Sequence, residues 1–227
     1  MRSRRFDPVK SVYKPIVFLL CLVPLGLLTY NFFTDNLSAN PLSDITNETG
    51  VWTLRFLVIT LSITPLRKLT GWAPLQRFRR MVGLFAFFYV SLHFTTYIYL
   101  DKFFDWPEIV KDVAKRPFIT IGFTALLFLI PLAVTSFDRL MKLMGGLRWK
   151  KLHRLVYVVA CLGVIHYYWL VKADTQRPLT YGALVLTLLG FRLWVYLVNR
   201  AAKNRRPASQ SVVAANPEIL NSLPNEN

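Results

Sequence analysis

The chain has 227 residues, 54% of them hydrophobic, and a formal net charge of +16 at neutral pH. A soluble protein with this charge is a candidate nucleic-acid binder, but such a protein clusters its basic residues on one face. Here the lysines and arginines form short clusters between long apolar runs, as in membrane proteins that keep positive charge on the cytoplasmic side. The composition therefore favours an integral membrane protein and gives no reason to expect a nucleic-acid partner.

Six apolar segments are long enough to cross a bilayer, since a helical span needs about 20 mostly apolar residues. None shows the alternation of a half-buried strand, and a helix satisfies its own backbone hydrogen bonds in lipid. The predicted fold class is an all-α integral membrane protein, a six-transmembrane-helix bundle. In chain order, the predicted spans are Pro15–Phe33, Gly50–Leu66, Met81–Leu100, Pro117–Phe137, Leu152–Val171 and Pro178–Asn199.

The segments that connect these spans alternate in positive charge, which predicts the orientation of the bundle. The two termini and every second connection together carry nineteen lysines and arginines, whereas the remaining connections carry six. Both termini are therefore expected to be cytoplasmic. The predicted organisation is a cytoplasmic N-terminal segment of residues 1–14, a six-helix transmembrane domain of residues 15–199, and a cytoplasmic tail of residues 200–227 that is expected to be disordered.

The chain has three histidines, and all lie in or at the edge of predicted spans. His93 lies roughly 18 Å into the third span and His166 roughly 21 Å into the fifth, both counted from the cytoplasmic end. Two imidazoles at one depth on neighbouring helices can bind one heme iron from both faces. The alternative is a histidine that only hydrogen-bonds between helices, although intramembrane ionisable residues are functional candidates. The cysteines form no CxxCH motif, so covalent heme attachment is not indicated.

His153 lies at the cytoplasmic end of the fifth span, roughly 20 Å from His166 along the helix axis. One heme cannot use both residues as axial ligands, so His153 is predicted to mark a second site near the cytoplasmic face. The two residues fall on different faces of a regular helix, so hemes stacked on one face require a kink, a π-turn or a different neighbour. Arg154, beside His153, is a candidate partner for a heme propionate or for lipid phosphate.

Three further arginines are candidate site residues. Arg55 lies about one turn into the second span, where it either pairs with a propionate of the outer heme or extends to the lipid headgroups. Arg79 and Arg80 precede the third span. They act either as a positively charged cytoplasmic anchor or as ligands of a flavin phosphate or an anionic headgroup. No catalytic residue is predicted.

Three sequence segments resemble a known family of membrane proteins. They are Thr49–Phe56 leading to Thr64–Arg67, Arg79–Leu84 continuing to Tyr89 and Leu92–His93, and Trp149–Tyr157 followed by His166, Tyr167 and Trp169. In series they resemble the MsrQ family, also called YedZ, of heme-binding membrane subunits. That family belongs to the ferric reductase-like transmembrane group.

The resemblance implies a function, cofactors and partners. Members of this family lie in the bacterial inner membrane and take electrons from the quinone pool or a cytosolic flavin reductase. They pass the electrons through heme b, with FMN as a further cofactor, to the periplasmic molybdopterin enzyme MsrP, which reduces methionine sulfoxide in oxidised proteins. The family's heme histidines fall on His93, His153 and His166.

One position departs from the wider group, in which two stacked hemes use four histidines. The position that matches the fourth histidine is occupied here by Arg79 or Arg80. An inner heme is therefore five-coordinate, bound by a group other than histidine, or replaced by flavin.

Two other functions are compatible with the sequence. A stand-alone ferric or metal reductase usually carries its own FAD and NADPH domain, and nothing large follows Asn199. A membrane protein without a redox role is expected to be colourless. For the electron-transfer subunit, the partner is expected to dock on the outer loops Asp101–Arg116 and Lys172–Arg177.

Overall fold

A computed structural model describes residues 7, 9–171 and 173–204, and within these ranges the chain is helical and contains no β-strand. The helices are α1 (Lys14–Phe33), α2 (Pro41–Thr70), α3 (Arg79–Thr95), α4 (Trp106–Lys115), α5 (Pro117–Val134), α6 (Asp138–Met144), α7 (Gly146–Leu152), α8 (Leu155–Leu170) and α9 (Gln176–Asn204). π-Helical turns precede α1 at Val9–Tyr13 and continue α3 at Thr96–Asp101, and a 3-10 turn lies at Ala73–Arg77.

Among the described residues, five helical segments are long and apolar enough to cross a membrane. They are Ser11–Phe33, Pro41–Thr70, Ala73–Asp101, Pro117–Val134 and Gln176–Ala202. These segments coincide with five of the six predicted spans. The remaining predicted span contains α8, which has 16 residues and falls short of the 18 residues required by the same criterion. The chain is therefore an all-helical, multi-pass membrane protein.

The two largest differences from the expected boundaries are at the start of α2 and the end of α9. α2 begins at Pro41 rather than at Gly50, because the Asn40 side chain accepts a hydrogen bond from the Ser43 N–H at 3.1 Å and proline suits a first helical turn. α9 continues to Asn204, so residues 200–204 of the tail that was expected to be disordered are helical. The rest of that tail and residues 1–6 and 8 of the N-terminal segment lie outside the described residues.

Two helix pairs make the most extensive contacts in the bundle, α2 with α3 and α5 with α8. Leu61 of α2, Tyr89 of α3 and Val159 of α8 have almost no exposed surface. Ala86 of α3 and Ala160 of α8 are completely buried, and such small residues let helix backbones approach closely in a membrane protein. Contacts of α2 with α8 and of α3 with α5 join the two pairs.

The chain divides within α9 into one unit of residues 1–188 and a second of residues 189–227. The first unit contains α1 to α8 and the beginning of α9, where Val185 is buried. In the second unit the described residues continue α9, and the rings of Phe191 and Trp194 contact each other with centroids 6.0 Å apart. Every predicted site residue lies in the first unit.

Candidate functional site

His93 of α3 and His166 of α8 lie beside each other although they belong to different helix pairs. Their ring centroids are 6.2 Å apart and their ring planes make an angle of 80°. The sequence places these residues at similar depth, and the packing of α2 and α3 against α5 and α8 brings their rings together. We call these two side chains, with the carbonyl groups of Thr46 and Phe118, the paired-histidine site.

Each histidine of this site is held by one backbone carbonyl of the partner helix in its own pair. His93 Nδ1 lies 2.8 Å from the Thr46 carbonyl oxygen, and His166 Nδ1 lies 2.7 Å from the Phe118 carbonyl oxygen. A carbonyl oxygen can only accept, so each Nδ1 carries the proton and donates it. In the neutral imidazole each Nε2 is then unprotonated, which is the form in which a histidine binds a metal while its other ring nitrogen is hydrogen-bonded.

Two glycines provide the space for these rings. A Cβ atom built on Gly50 would lie 3.1 Å from Nδ1 of His93, and one built on Gly122 would lie 2.7 Å from Nδ1 of His166. The sequence analysis did not identify either residue as functional. The available signal was an isolated glycine inside an apolar helix, which often has a packing or functional reason.

The paired-histidine site fits the axial ligands of a heme. Two imidazoles that bind one metal from opposite sides, each at about 2 Å, have ring centres roughly 6 Å apart, and 6.2 Å separates these two. Among the described residues no group of three or more His, Cys, Asp or Glu could hold a metal ion by itself. A heme needs only axial ligands from the protein, because the porphyrin provides the other bonds to iron.

His153 lies at the other end of α8, in the two-residue break between α7 and α8. Its Nε2 is 3.2 Å from Thr135 Oγ1, and the same hydroxyl donates to the Pro131 carbonyl oxygen at 2.6 Å. Because the hydroxyl has one proton, His153 Nε2 is the donor in their contact. The Trp149 ring covers the imidazole, with centroids 4.0 Å apart. His153 therefore has the opposite tautomer from the paired histidines.

A cavity of about 390 Å³ lies beside His153, and a volume of this size is in the range of small-molecule and cofactor sites. We call it the His153 cavity. Its walls include Leu57, Phe87, Leu129, Trp149 and Tyr157, and the charged residues that line it are Arg79, Arg80, Lys150 and Arg154. The lining suits a flat, largely apolar molecule with anionic groups.

Three of the four predicted arginines line the His153 cavity, and the fourth does not. Arg79, Arg80 and Arg154 line the His153 cavity. Arg80 also forms an exposed ion pair with Asp138, and the hydrogen bond from Arg80 lowers the pKa of that carboxyl. Arg55 does not line this cavity: its guanidinium lies 4.4 Å above the Trp52 ring.

Arg55 also connects α2 with the start of α9. Its Nε donates to the Tyr181 hydroxyl at 3.0 Å. These two contacts hold the guanidinium between the Trp52 ring and the Tyr181 hydroxyl.

A charged network lies outside the candidate spans, between the end of α3 and α4. Lys102 Nζ is 2.8 Å from Asp112 Oδ2 and 2.6 Å from Glu108 Oε1, and Arg116 Nε is 3.3 Å from Asp112 Oδ1. The side chains of Lys102 and Asp112 are only 9% and 10% exposed. Their hydrogen bond raises the pKa of Lys102 and lowers the pKa of Asp112.

The fold and both histidine sites define a multi-pass helical membrane protein of the ferric reductase-like class. Residues 49–164 match the model of the family described as ferric reductase like transmembrane component. The match includes His93 and His153 and ends just before His166. No solved structure gives a significant match.

Curated relatives define the family more narrowly. The chain is 50% identical to the protein-methionine-sulfoxide reductase heme-binding subunit MsrQ of Herminiimonas arsenicoxydans, over 90% of this chain and 94% of that protein. It is 47% identical to the MsrQ of Polaromonas naphthalenivorans, over 87% of this chain and 90% of that protein. The chain therefore belongs to the MsrQ family, as its three sequence segments predicted.

Proposed function

We propose that this chain is the transmembrane electron-transfer subunit of a bacterial periplasmic methionine sulfoxide reductase system. The observation that carries this proposal is the paired-histidine site, in which two imidazoles donate from Nδ1 to backbone carbonyls and have ring centres 6.2 Å apart, a separation that suits two axial ligands of one heme iron. The proposal is also supported by the relatives, which are named as heme-binding subunits of protein-methionine-sulfoxide reductase.

In the proposed topology six helices cross the bacterial inner membrane and both termini are cytoplasmic. α8 is the sixth span, since its sequence is apolar and it packs along α5. The domain of residues 15–199 then holds both sites, with the paired-histidine site toward the periplasm and the His153 cavity toward the cytoplasm. The charge difference between alternate connections supports this orientation.

At the paired-histidine site, His93 and His166 are the proposed axial ligands of heme b. The heme supplies a one-electron carrier when it is bound. The two backbone carbonyls hold the rings in the tautomer that leaves each Nε2 free for iron. Arg55 is the proposed partner of a propionate, because its guanidinium lies on the same helix as Thr46 and Gly50.

The His153 cavity is the proposed site of a second cofactor, either FMN or an inner heme. Arg79, Arg80 and Arg154 would bind the phosphate of FMN or the propionates of heme, and the apolar walls would contact the ring system. FMN and heme place different requirements on the hydrogen bond that His153 makes. FMN is compatible with the hydrogen bond to Thr135, whereas a heme bound through Nε2 requires that bond to break.

The proposed donors are the quinone pool and a cytosolic flavin reductase, and the proposed acceptor is the periplasmic molybdopterin enzyme MsrP. A reductant that arrives from the cytoplasm meets the His153 cavity first in this orientation. The apolar surfaces of the spans face membrane lipid. The acceptor is expected to dock on the side of the paired-histidine site, on the connections at Asp101–Arg116 and Lys172–Arg177.

Anaerobic reoxidation of the purified, reduced protein tests this proposal. We expect a Soret band that shifts on reduction, and we expect its return to the oxidised position when MsrP and methionine sulfoxide are added together. His93→Ala and His166→Ala should each lose the shifting band. A colourless wild-type protein would exclude a redox role, and reoxidation by ferric chelates but not by MsrP would favour a stand-alone metal reductase.

A further inference from the structure

The paired-histidine site is built from the same local arrangement used twice. On α2 the Thr46 carbonyl is followed one turn later by Gly50, and on α5 the Phe118 carbonyl is followed one turn later by Gly122. In an α-helix the N–H of each glycine donates to that same carbonyl. Each carbonyl has two lone pairs, so it can also accept the Nδ1–H of a histidine. His93 and His166 each make this second hydrogen bond.

We propose that Gly50 and Gly122 are positioning residues of the heme ligands. Because each glycine has no side chain, the histidine ring lies against the helix backbone and reaches the carbonyl one turn earlier. This contact fixes the proton on Nδ1 and sets the rotation of the ring, so that Nε2 is free for iron. The inference rests on the proposed heme function.

The distances predict unequal effects of an added methyl group at the two positions. At Gly122 a Cβ atom would lie 2.7 Å from Nδ1 and 2.8 Å from Cε1 of His166, so the ring or the helix has to move. At Gly50 the corresponding distances to His93 are both 3.1 Å, which a small displacement can relieve. The ligand from α8 should therefore be disturbed more than the ligand from α3.

Two other helical glycines provide matched controls. Gly163 lies on α8, the same helix as His166, and a Cβ atom there would be 3.5 Å from Leu54 Cδ1, which is ordinary van der Waals contact. Gly26 lies on α1, and a Cβ atom there has no neighbour within 4 Å. Each control adds the same methyl group and the same change in helix propensity without touching a histidine.

The test is to purify the full-length Gly122→Ala, Gly50→Ala, Gly163→Ala and Gly26→Ala proteins and to measure heme per protein, the low-spin ferric signal in electron paramagnetic resonance, and the midpoint potential. We expect Gly122→Ala to bind heme about tenfold more weakly, as is typical when a group that orients a metal ligand is disturbed. Gly50→Ala should retain heme but shift its low-spin signal and its potential. Both controls should match the wild type.

The outcomes separate this inference from the function on which it rests. A wild-type protein without low-spin heme overturns the proposed function. A wild-type protein with low-spin heme, together with unchanged Gly122→Ala and Gly50→Ala spectra, overturns the positioning role alone. Equal losses in Gly163→Ala or Gly26→Ala also overturn it, because any added methyl group in a span would then have the same effect.

Discussion

Two histidines near opposite ends of α8, His166 within the helix and His153 two residues before it, are in opposite hydrogen-bonding states. His166 donates from Nδ1 to a backbone carbonyl, as His93 does, and this leaves Nε2 free. His153 donates from Nε2 to the Thr135 hydroxyl and lies under the Trp149 ring. The acceptor of the ring N–H therefore differs between the two histidines. This acceptor determines which ring nitrogen is left unprotonated, and so what each residue can bind.

The residues that surround the two sites also differ in kind. The paired-histidine site combines two rings with two backbone carbonyls. The His153 cavity combines one histidine with a lining whose charged residues are basic. The first arrangement suits a metal held from both faces, and the second suits an anionic cofactor held by its charges. Substitutions at one site can show whether the paired-histidine site and the His153 cavity behave independently.

The largest expected effect comes from His153→Ala. We expect this protein to lose an inner heme, or to hold FMN more weakly because His153 lines the cavity, and to keep the complete low-spin heme signal of the paired-histidine site. His166→Ala should give the reverse result, because His153 precedes α8 and His166 lies near the far end of that helix. Heme and flavin content with electron paramagnetic resonance provide the measurement. Loss of the low-spin signal in His153→Ala would show that the two ends are coupled.

Removal of a cavity arginine should have the next largest effect. We expect Arg154→Gln to weaken cofactor retention in the His153 cavity by about tenfold, since a hydrogen bond to a charged group contributes about 1.5–3 kcal/mol. Arg80→Gln is the matched control with a smaller expected effect, because Asp138 already pairs with that charge. Retention during dilution can be followed by flavin fluorescence and absorbance. An Arg80→Gln effect as large as that of Arg154→Gln would contradict the proposed roles.

The Thr135 hydroxyl provides a finer test of the histidine tautomer. Thr135→Val removes the acceptor of His153 Nε2–H, so we expect the cavity's affinity for heme to rise about fivefold, the effect of roughly 1 kcal/mol for one neutral hydrogen bond. Thr135→Ser keeps a hydroxyl and should bind as the wild type does. Heme titration of both proteins is the measurement. Equal affinities would mean that this hydrogen bond does not control the ligand state of His153.

The smallest effect on either site is expected from the network outside the spans. Asp112→Asn should lower the free energy of unfolding by about 1 kcal/mol, because Lys102 loses its buried charged partner, without changing either cofactor. Glu108→Gln is the control, since Glu108 is 50% exposed. Thermal unfolding in detergent measures both. A change in either cofactor would show that the network supports a site.

The pH dependence of this network follows from the two pKa shifts. The pKa of Asp112 is lowered, so its stabilising contribution is present above the ordinary aspartate pKa of about 4 and is lost as the pH falls through the lowered value. The pKa of Lys102 is raised, so its contribution is complete below about pH 10. The difference between wild type and Asp112→Asn should therefore be constant near neutral pH and should vanish in acid.

Part of the paired-histidine site could be predicted from the sequence. Residue counts along apolar segments place His93 and His166 at one depth, because helical rise per residue is constant. The counts contain no information about which carbonyl each ring meets, since that depends on the rotation of α2 and α5. Gly50 and Gly122 were missed for this reason.

The sequence also left open how His153 and His166, on different faces of a regular helix, could both bind cofactors. A regular helix places them on different faces, so two hemes stacked on one face would require a kink, a π-turn or a different neighbour. The structure shows a break between them: α7 ends at Leu152 and α8 begins at Leu155, so His153 lies outside the helix that carries His166. Beside this break Trp149 Nε1 donates to the Thr135 carbonyl oxygen at 2.9 Å, a tertiary contact that hydropathy does not describe.

The brevity of α8 has a consequence for the surrounding bilayer in the proposed six-span arrangement. Its 16 residues rise roughly 24 Å, whereas a hydrocarbon core is about 30 Å thick. This hydrophobic mismatch can be met by thinning of the lipid beside α8. The hydrocarbon layer is then thinnest along the helix that carries His166 and begins two residues after His153, which shortens the distance that charge has to cross between the two sites.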